Sequence, residues 1–157
     1  MKKVYLSDAG PKVSPAIYGF WRWEKEDKKM DEIVHFCLDK GINTFDHSDR
    51  YGEYTAEKSF GELLAKKSIQ RSDIVLFSKC GVNIPSPARP DIRVAHVNTS
   101  AAHITASVEN SLRNLQTDYL DVFLLDQLDP LSDIETTAVA LEKLKSSGKV
   151  KNIGVSN

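Results

Sequence analysis

Short apolar runs alternate with segments whose apolar residues recur every three or four positions, and this alternation continues to the last residue. Helical spacing joins Met30, Ile33, Val34, Cys37 and Leu38, then Ala56, Phe60, Leu63 and Leu64. It joins Ile104, Val108, Leu112 and Leu115 next, and finally Ile134, Leu141 and Leu144. Strand-like runs lie at 16–19, 42–45, 74–77, 119–125 and 151–155. The run at 74–77 is apolar throughout, as a strand covered on both faces requires. Strands joined by helix-length crossovers imply a parallel sheet with right-handed connections. Ahead of the first core strand, two strand-like stretches flank Asp8-Ala9-Gly10-Pro11, a turn signal that predicts an N-terminal hairpin.

The element ends carry their own signals. Asp27 is placed to cap the first helix and Gly41 to end it; Thr99 or Ser100 opens the third. Ser132 and Glu135 have the spacing of a capping box before the fourth helix, with Ile134 turned inward and Gly148 past its end. Residues 83–98 hold Pro85, Pro87 and Pro90 and read as one long loop of the kind that often serves as a lid or binding segment. Two architectures fit this order, an open doubly wound sheet or part of a (β/α)8 barrel. No G-x-G-x-x-G follows the first core strand, so the dinucleotide fingerprint of the open fold is missing. Periodicity leaves the choice between the two open.

With 157 residues, one domain spanning 1–157 is expected. A net charge of −1 gives no electrostatic reason for nucleic acid or an anionic membrane as partner, and no apolar run approaches membrane-spanning length. MKKVYLSDAG has no apolar core of a signal peptide, and Cys37 and Cys80 form no CxxC pair. A cytoplasmic protein with two reduced thiols is the expectation.

In parallel α/β folds the reactive groups gather where strands end. Those positions hold Asp46, Lys79, Asp126 and Ser156-Asn157, with Tyr51 five residues beyond Asp46. Polar side chains at the ends of successive apolar strands converge on one face, which packing alone does not require. Tyrosine and lysine both titrate near pH 10 when free, but a nearby ammonium favours the phenolate and a carboxylate steadies a buried lysine. Tyr51, Lys79 and Asp46 together suit a proton relay to an oxyanion.

The runs GINTFDHSDRYG with AEKSFGELL, FSKCG, LDVFLLDQLDP and GKVKNIGVSN resemble, in order and spacing, the aldo-keto reductases. The resemblance implies a TIM-type (β/α)8 barrel, here incomplete, with the N-terminal hairpin, five strands and four helices. It implies NADPH, or NADH, as cofactor and a small carbonyl compound as substrate. By the same resemblance Tyr51 is the proton donor, Lys79 its activator and Asp46 the partner of Lys79. Ser156 and Asn157 match contacts to the nicotinamide carboxamide. Gly19, Phe20 and Trp21 are expected beside nicotinamide and substrate, and His47 in the pocket wall.

Two departures stand out. The family pattern has histidine where this chain has Asp126, and an ionised aspartate accepts hydrogen bonds without donating any. A (β/α)8 barrel also takes about 250 residues, so the first and fifth strands are expected as open edges able to pair with a second chain. A non-catalytic remnant of the family is therefore an alternative. A metal-dependent barrel hydrolase is a weaker one, since Asp46, His47 and Asp49, with His96 and His103, hold ligand-type atoms. No other strand end offers histidine, so no metal is expected. Cys80 beside Lys79 is read as a buried thiol, with an activated one as the alternative. Trp21 and Trp23 flank Arg22 and either shape the substrate site or pack on the hairpin.

Overall fold

The computed structural model describes residues 2–8, 10–23, 29–127 and 129–157. The hairpin pairs β1 (Val4–Tyr5) antiparallel with β2 (Lys12–Val13). Then come β3 (Tyr18–Gly19), α1 (Met30–Asp39), β4 (Thr44–Asp46), a one-turn element α2 (Tyr51–Tyr54) and α3 (Ala56–Ala65). The chain continues through β5 (Val75–Cys80), β6 (Val82–Asn83), β7 (His96–Val97), α4 (Ala101–Leu115), β8 (Leu120–Asp126), α5 (Ile134–Ser146) and β9 (Val150–Ser156).

The parallel sheet has the order β3-β4-β5-β8-β9, each strand beside the one that precedes it among the core strands. A doubly wound sheet reverses direction at a switch point, and this one does not. With right-handed crossovers, an unreversed order puts every helix on one face. The helices do pack in chain order, α1 on α3, α3 on α4 and α4 on α5. This is one arc of a (β/α)8 barrel, with β3 and β9 at its edges.

Each layer follows from the sequence pattern. Val34 and Cys37 of α1, Phe60 and Leu64 of α3, and Ile104, Val108 and Leu115 of α4 meet Phe45, Leu76 and Phe123 in the main core between helices and sheet. Period-2 alternation sends Phe77 and Val122 to the opposite face, where Val13 of the hairpin covers them. The hairpin thus floors the arc. α3 and α4 approach closely because position 61 is glycine: a Cβ there would lie 1.9 Å from the Asn114 carbonyl oxygen. Gly41, with φ of 75°, ends α1 as its position past the last helical turn requires.

Three local expectations need correction. Asp133, not Ser132, caps α5: its Oδ1 accepts from the Glu135 N–H at 3.0 Å, while Ser132 Oγ donates to Asp129 Oδ2 at 2.8 Å. Ile134 faces solvent, because Thr137, Ala140, Leu141 and Leu144 supply the buried stripe of α5. The segment 83–98 is not structureless. Its ends are tied by β6 and β7, in the pairs Val82–Val97 and Asn83–His96. The cap expected at Asp27 lies outside the described residues.

Candidate active site

Alternation along five parallel strands decides which side chains meet. Gly19, Asp46, Phe77, Lys79, Leu124, Asp126 and Ser156 share the inward face and, with Arg50, Tyr51 and Asn157, line a cleft of about 440 Å³ at the C-terminal ends of the strands. All four expected strand-end groups are there. A groove of about 660 Å³ adjoins the cleft and shares Arg50 and Tyr51 with it; Trp21, Arg22, Trp23 and Pro87 form its other walls. A larger groove, about 980 Å³, runs between α4 and α5, and its lining includes no strand-end group.

Lys79 is buried in the cleft floor. Its Nζ donates to Asp46 Oδ1 at 2.5 Å and to the His47 carbonyl at 2.9 Å, and it lies 4.9 Å from the centroid of the Tyr51 ring. Burying an ammonium is costly without such partners. The Tyr51 ring is itself buried, with the Arg50 guanidinium carbon 5.6 Å from its centroid on a second approach. The backbone after it is unusual: Gly52, Glu53 and Tyr54 have φ of 57°, 53° and 69°. At Gly52 a side chain would press on Trp23 at 3.0 Å. Glu53 and Tyr54 lack that freedom, so their left-handed conformations store strain next to the cleft. Thr55 Oγ1 donates to the Gly52 carbonyl, and the Tyr54 hydroxyl bonds both the N–H and the carbonyl of Ile84, which holds the turn in place.

Asp126 is 2% exposed at the end of β8. Its Oδ1 accepts from Asn157 Nδ2 at 2.7 Å, and its Oδ2 meets Arg50 Nη2 at 3.5 Å. Asn157 Nδ2 also donates to Ser156 Oγ at 3.0 Å, so the last two residues fold over the carboxylate.

Two expected residues face elsewhere. Phe20 and His47 are sealed in the core, stacked ring on ring at 4.5 Å with Phe60 edge-on to His47. Neither side chain reaches the cleft, since alternation that turns Gly19 and Asp46 inward turns the next residues toward the helices. Burial, reinforced by the Lys79 charge, pushes the His47 pKa down to about 3, so the ring is neutral. Trp21 is largely exposed at the groove, whereas Trp23 is buried and packs edge-on against Phe20.

The residues weighed for metal binding do not gather either. Among the described residues no group of three or more His, Cys, Asp or Glu is arranged to hold a metal ion. Asp49 turns to the helix side, where Oδ2 accepts from Ser107 Oγ at 2.8 Å; His103 lines the same small cavity and His96 is exposed. Burial raises the Asp49 pKa to about 6. Burial also drives the Cys80 thiol well above its ordinary range despite the Lys79 neighbour, which removes the activated-thiol reading.

Sequence reasoning missed Arg50 in the cleft and Glu57 behind it. Glu57 is fully enclosed, with Oε1 accepting from Ser78 Oγ at 2.6 Å, and burial lifts its pKa to about 7. A signal for it existed, because Glu57 has the same spacing as Phe60, Gly61 and Leu64 on the buried stripe of α3. Arg50 had none. Its contact with Asp126 spans 76 positions and exists only in the folded arc.

The profile of the Aldo/keto reductase family matches residues 16–157. Over its full length the chain is 47% identical to an uncharacterized oxidoreductase, YcsN, of Bacillus subtilis and 40% identical to a 6-dehydroglucose reductase of Agrobacterium fabrum. It covers 53% and 54% of those proteins, so the chain spans about half the length of the curated relatives it matches. Among solved structures it resembles the aldo-keto reductase AKR11C1 from Bacillus halodurans in its holo form, with a TM-score of 0.86 and 31% identity. That match takes in 99% of this chain and 50% of the other.

Proposed function

The chain belongs to the aldo/keto reductase family, and on that premise we propose that it carries the catalytic centre of an NAD(P)H-dependent carbonyl reductase. One observation carries the reading: Asp46 and the His47 carbonyl hold the Lys79 ammonium beside the buried Tyr51 ring, on the floor of an open cleft.

Adding hydride to a carbonyl carbon breaks the C=O π bond and leaves the electron pair on oxygen. Tyr51 then gives its hydroxyl proton to that oxygen, yielding the alcohol. The phenolate left behind gains from the Lys79 charge, which in turn stays in place because Asp46 neutralises it. A nicotinamide cofactor supplies the hydride; NADPH is the cofactor proposed, with NADH as the substitute.

The strand ends suit the flat amide-bearing ring of such a cofactor. A Cβ added at Gly19 would meet only the Asp46 carboxylate, at 3.6 Å, so a ring can lie close to the strand end. Ser156 and Asn157 bring a hydroxyl and an amide to the cleft rim, the donors and acceptors a carboxamide calls for. Cys37 and Cys80, both buried and free, suit a reducing cytoplasm as the working compartment.

The second reading, a catalytically silent family member, draws support from Asp126. Its carboxylate faces the place where charge would build on oxygen, and like charges repel. One assay separates the two. NADPH oxidation is followed with a panel of aldehydes and ketones, for the parent protein and for Tyr51→Phe. Turnover in the parent with at least a hundredfold loss in Tyr51→Phe supports the reductase; a parent inert toward the whole panel supports the silent relative.

A further inference from the structure

The cleft has an uneven charge balance around its reacting end. Five ionisable side chains line it: Asp46, Arg50, Tyr51, Lys79 and Asp126. Lys79 is committed, two of its three N–H groups being taken by Asp46 and the His47 carbonyl. Asp126 offers only acceptors and is already met by Asn157. Carbonyl reduction concentrates negative charge on one oxygen, and Tyr51 supplies a single donor to it. Among the ionisable groups of the cleft, the remaining donor is Arg50.

Arg50 is weakly engaged for a guanidinium at such a place. A single nitrogen, Nη2, contacts Asp126, at 3.5 Å, far from the paired short bonds that an arginine fork makes with a carboxylate. Its side chain is 30% exposed and borders both the cleft and the adjoining groove, so a molecule entering the cleft passes it. Its backbone is firmly placed. Asp49 donates its N–H to the Lys79 carbonyl at 3.0 Å and binds α4 through Ser107, and Tyr51 donates its N–H to the Ser48 carbonyl at 3.1 Å. The cation is fixed at its root and under-used at its tip.

We infer that Arg50 is a second catalytic donor: one N–H stays with Asp126 while another bonds the substrate carbonyl oxygen, turning it toward Tyr51. The inference rests on the reductase reading above. It gives Asp126 a role too, that of steering the guanidinium, and the Arg50–Asp126 pair presents no net charge to the oxygen.

The test is steady-state kinetics with NADPH and the best aldehyde of the panel, thermal unfolding serving as the check on folding. Arg50→Met is expected to lower kcat about 100-fold, the loss typical for one donor to a developing oxyanion, and to leave the KM for NADPH unchanged. Arg50→Met combined with Asp126→Leu, which removes the carboxylate and brings no N–H or O–H in its place, is expected to stay as low, because the donor is still missing. A return to the parent rate in the double variant overturns the inference, since Arg50 would then act only by neutralising Asp126. Should Arg50→Met fail to fold, Arg50→Gln carries the comparison. It keeps a donor without the charge, and a kcat about tenfold below the parent is expected; an unchanged kcat overturns the inference. A protein silenced by Tyr51→Phe but indifferent to Arg50→Met refutes this inference alone. A parent without turnover refutes the reductase reading, and the inference with it.

Discussion

Lys79 Nζ and Asp46 Oδ1 lie 2.5 Å apart across adjacent parallel strands, yet the two side chains are unequally buried, at 6% and 24% exposure. Removing either partner should therefore cost different amounts. Asp46→Asn strands an ammonium that water barely reaches, and a loss of about 3 kcal/mol is expected. Lys79→Met leaves a carboxylate that is partly hydrated, so about 1–2 kcal/mol is expected. Urea unfolding of both variants checks the asymmetry; equal losses would mean that the pair is solvated as a unit.

His47 sets an acid limit on stability. Its folded pKa, about 3, lies below the ordinary value of 6.5, because both ring nitrogens are enclosed among Phe20, Phe60 and the strand and have no hydrogen-bond partner. Protons bind the unfolded chain first, so the contribution is complete above pH 6.5 and is lost as pH falls toward 3. Between pH 7 and pH 5 it should cost the parent about 2 kcal/mol. His47→Phe, which keeps the stacking, should remove that part of the slope. Unfolding free energies at the two pH values decide it.

Glu57 works in the opposite sense. Burial lifts its folded pKa from 4.5 to about 7, so the folded state holds the proton more tightly. The contribution is full below pH 4.5 and disappears as pH rises through 7, a loss of about 2–3 kcal/mol between pH 5 and pH 8. Glu57→Gln should be less sensitive than the parent over that range in guanidinium unfolding. A variant that loses as much as the parent would place the titration elsewhere, with Asp49 the next candidate.

The alternation of helix and strand was legible because each core-facing side chain has a position fixed by period 3.6 or period 2, and the strand ends carrying Asp46, Lys79, Asp126 and Ser156 followed from it. What stayed hidden depended on choices between near-equivalent groups or on contacts across the fold. Ser132 and Asp133 both suit a helix cap, and the bonds that Ser132 makes with Asp129 and Thr99 decide between them. β6 and β7 are two residues each, too short for any pattern, and are held by their register with one another. His47 and Phe20 were expected in the pocket although strict alternation already turned them away from it. Glu57 carries a charge, and charged residues are read as solvated unless their helical register is given more weight.

The shared inward register also governs how such a site can change over evolutionary time. Substitution at a strand end, at Asp126 for instance, alters one wall of the cleft and leaves the others in place. A change of length is another matter. One residue gained or lost inside β5 would turn Lys79 into the helix layer and bring Ser78 or Cys80 to the cleft, together with every other side chain of that strand. Variation among descendants of this chain should thus gather in residue identity at the strand ends and in the length of the loops beyond them, while strand lengths stay frozen.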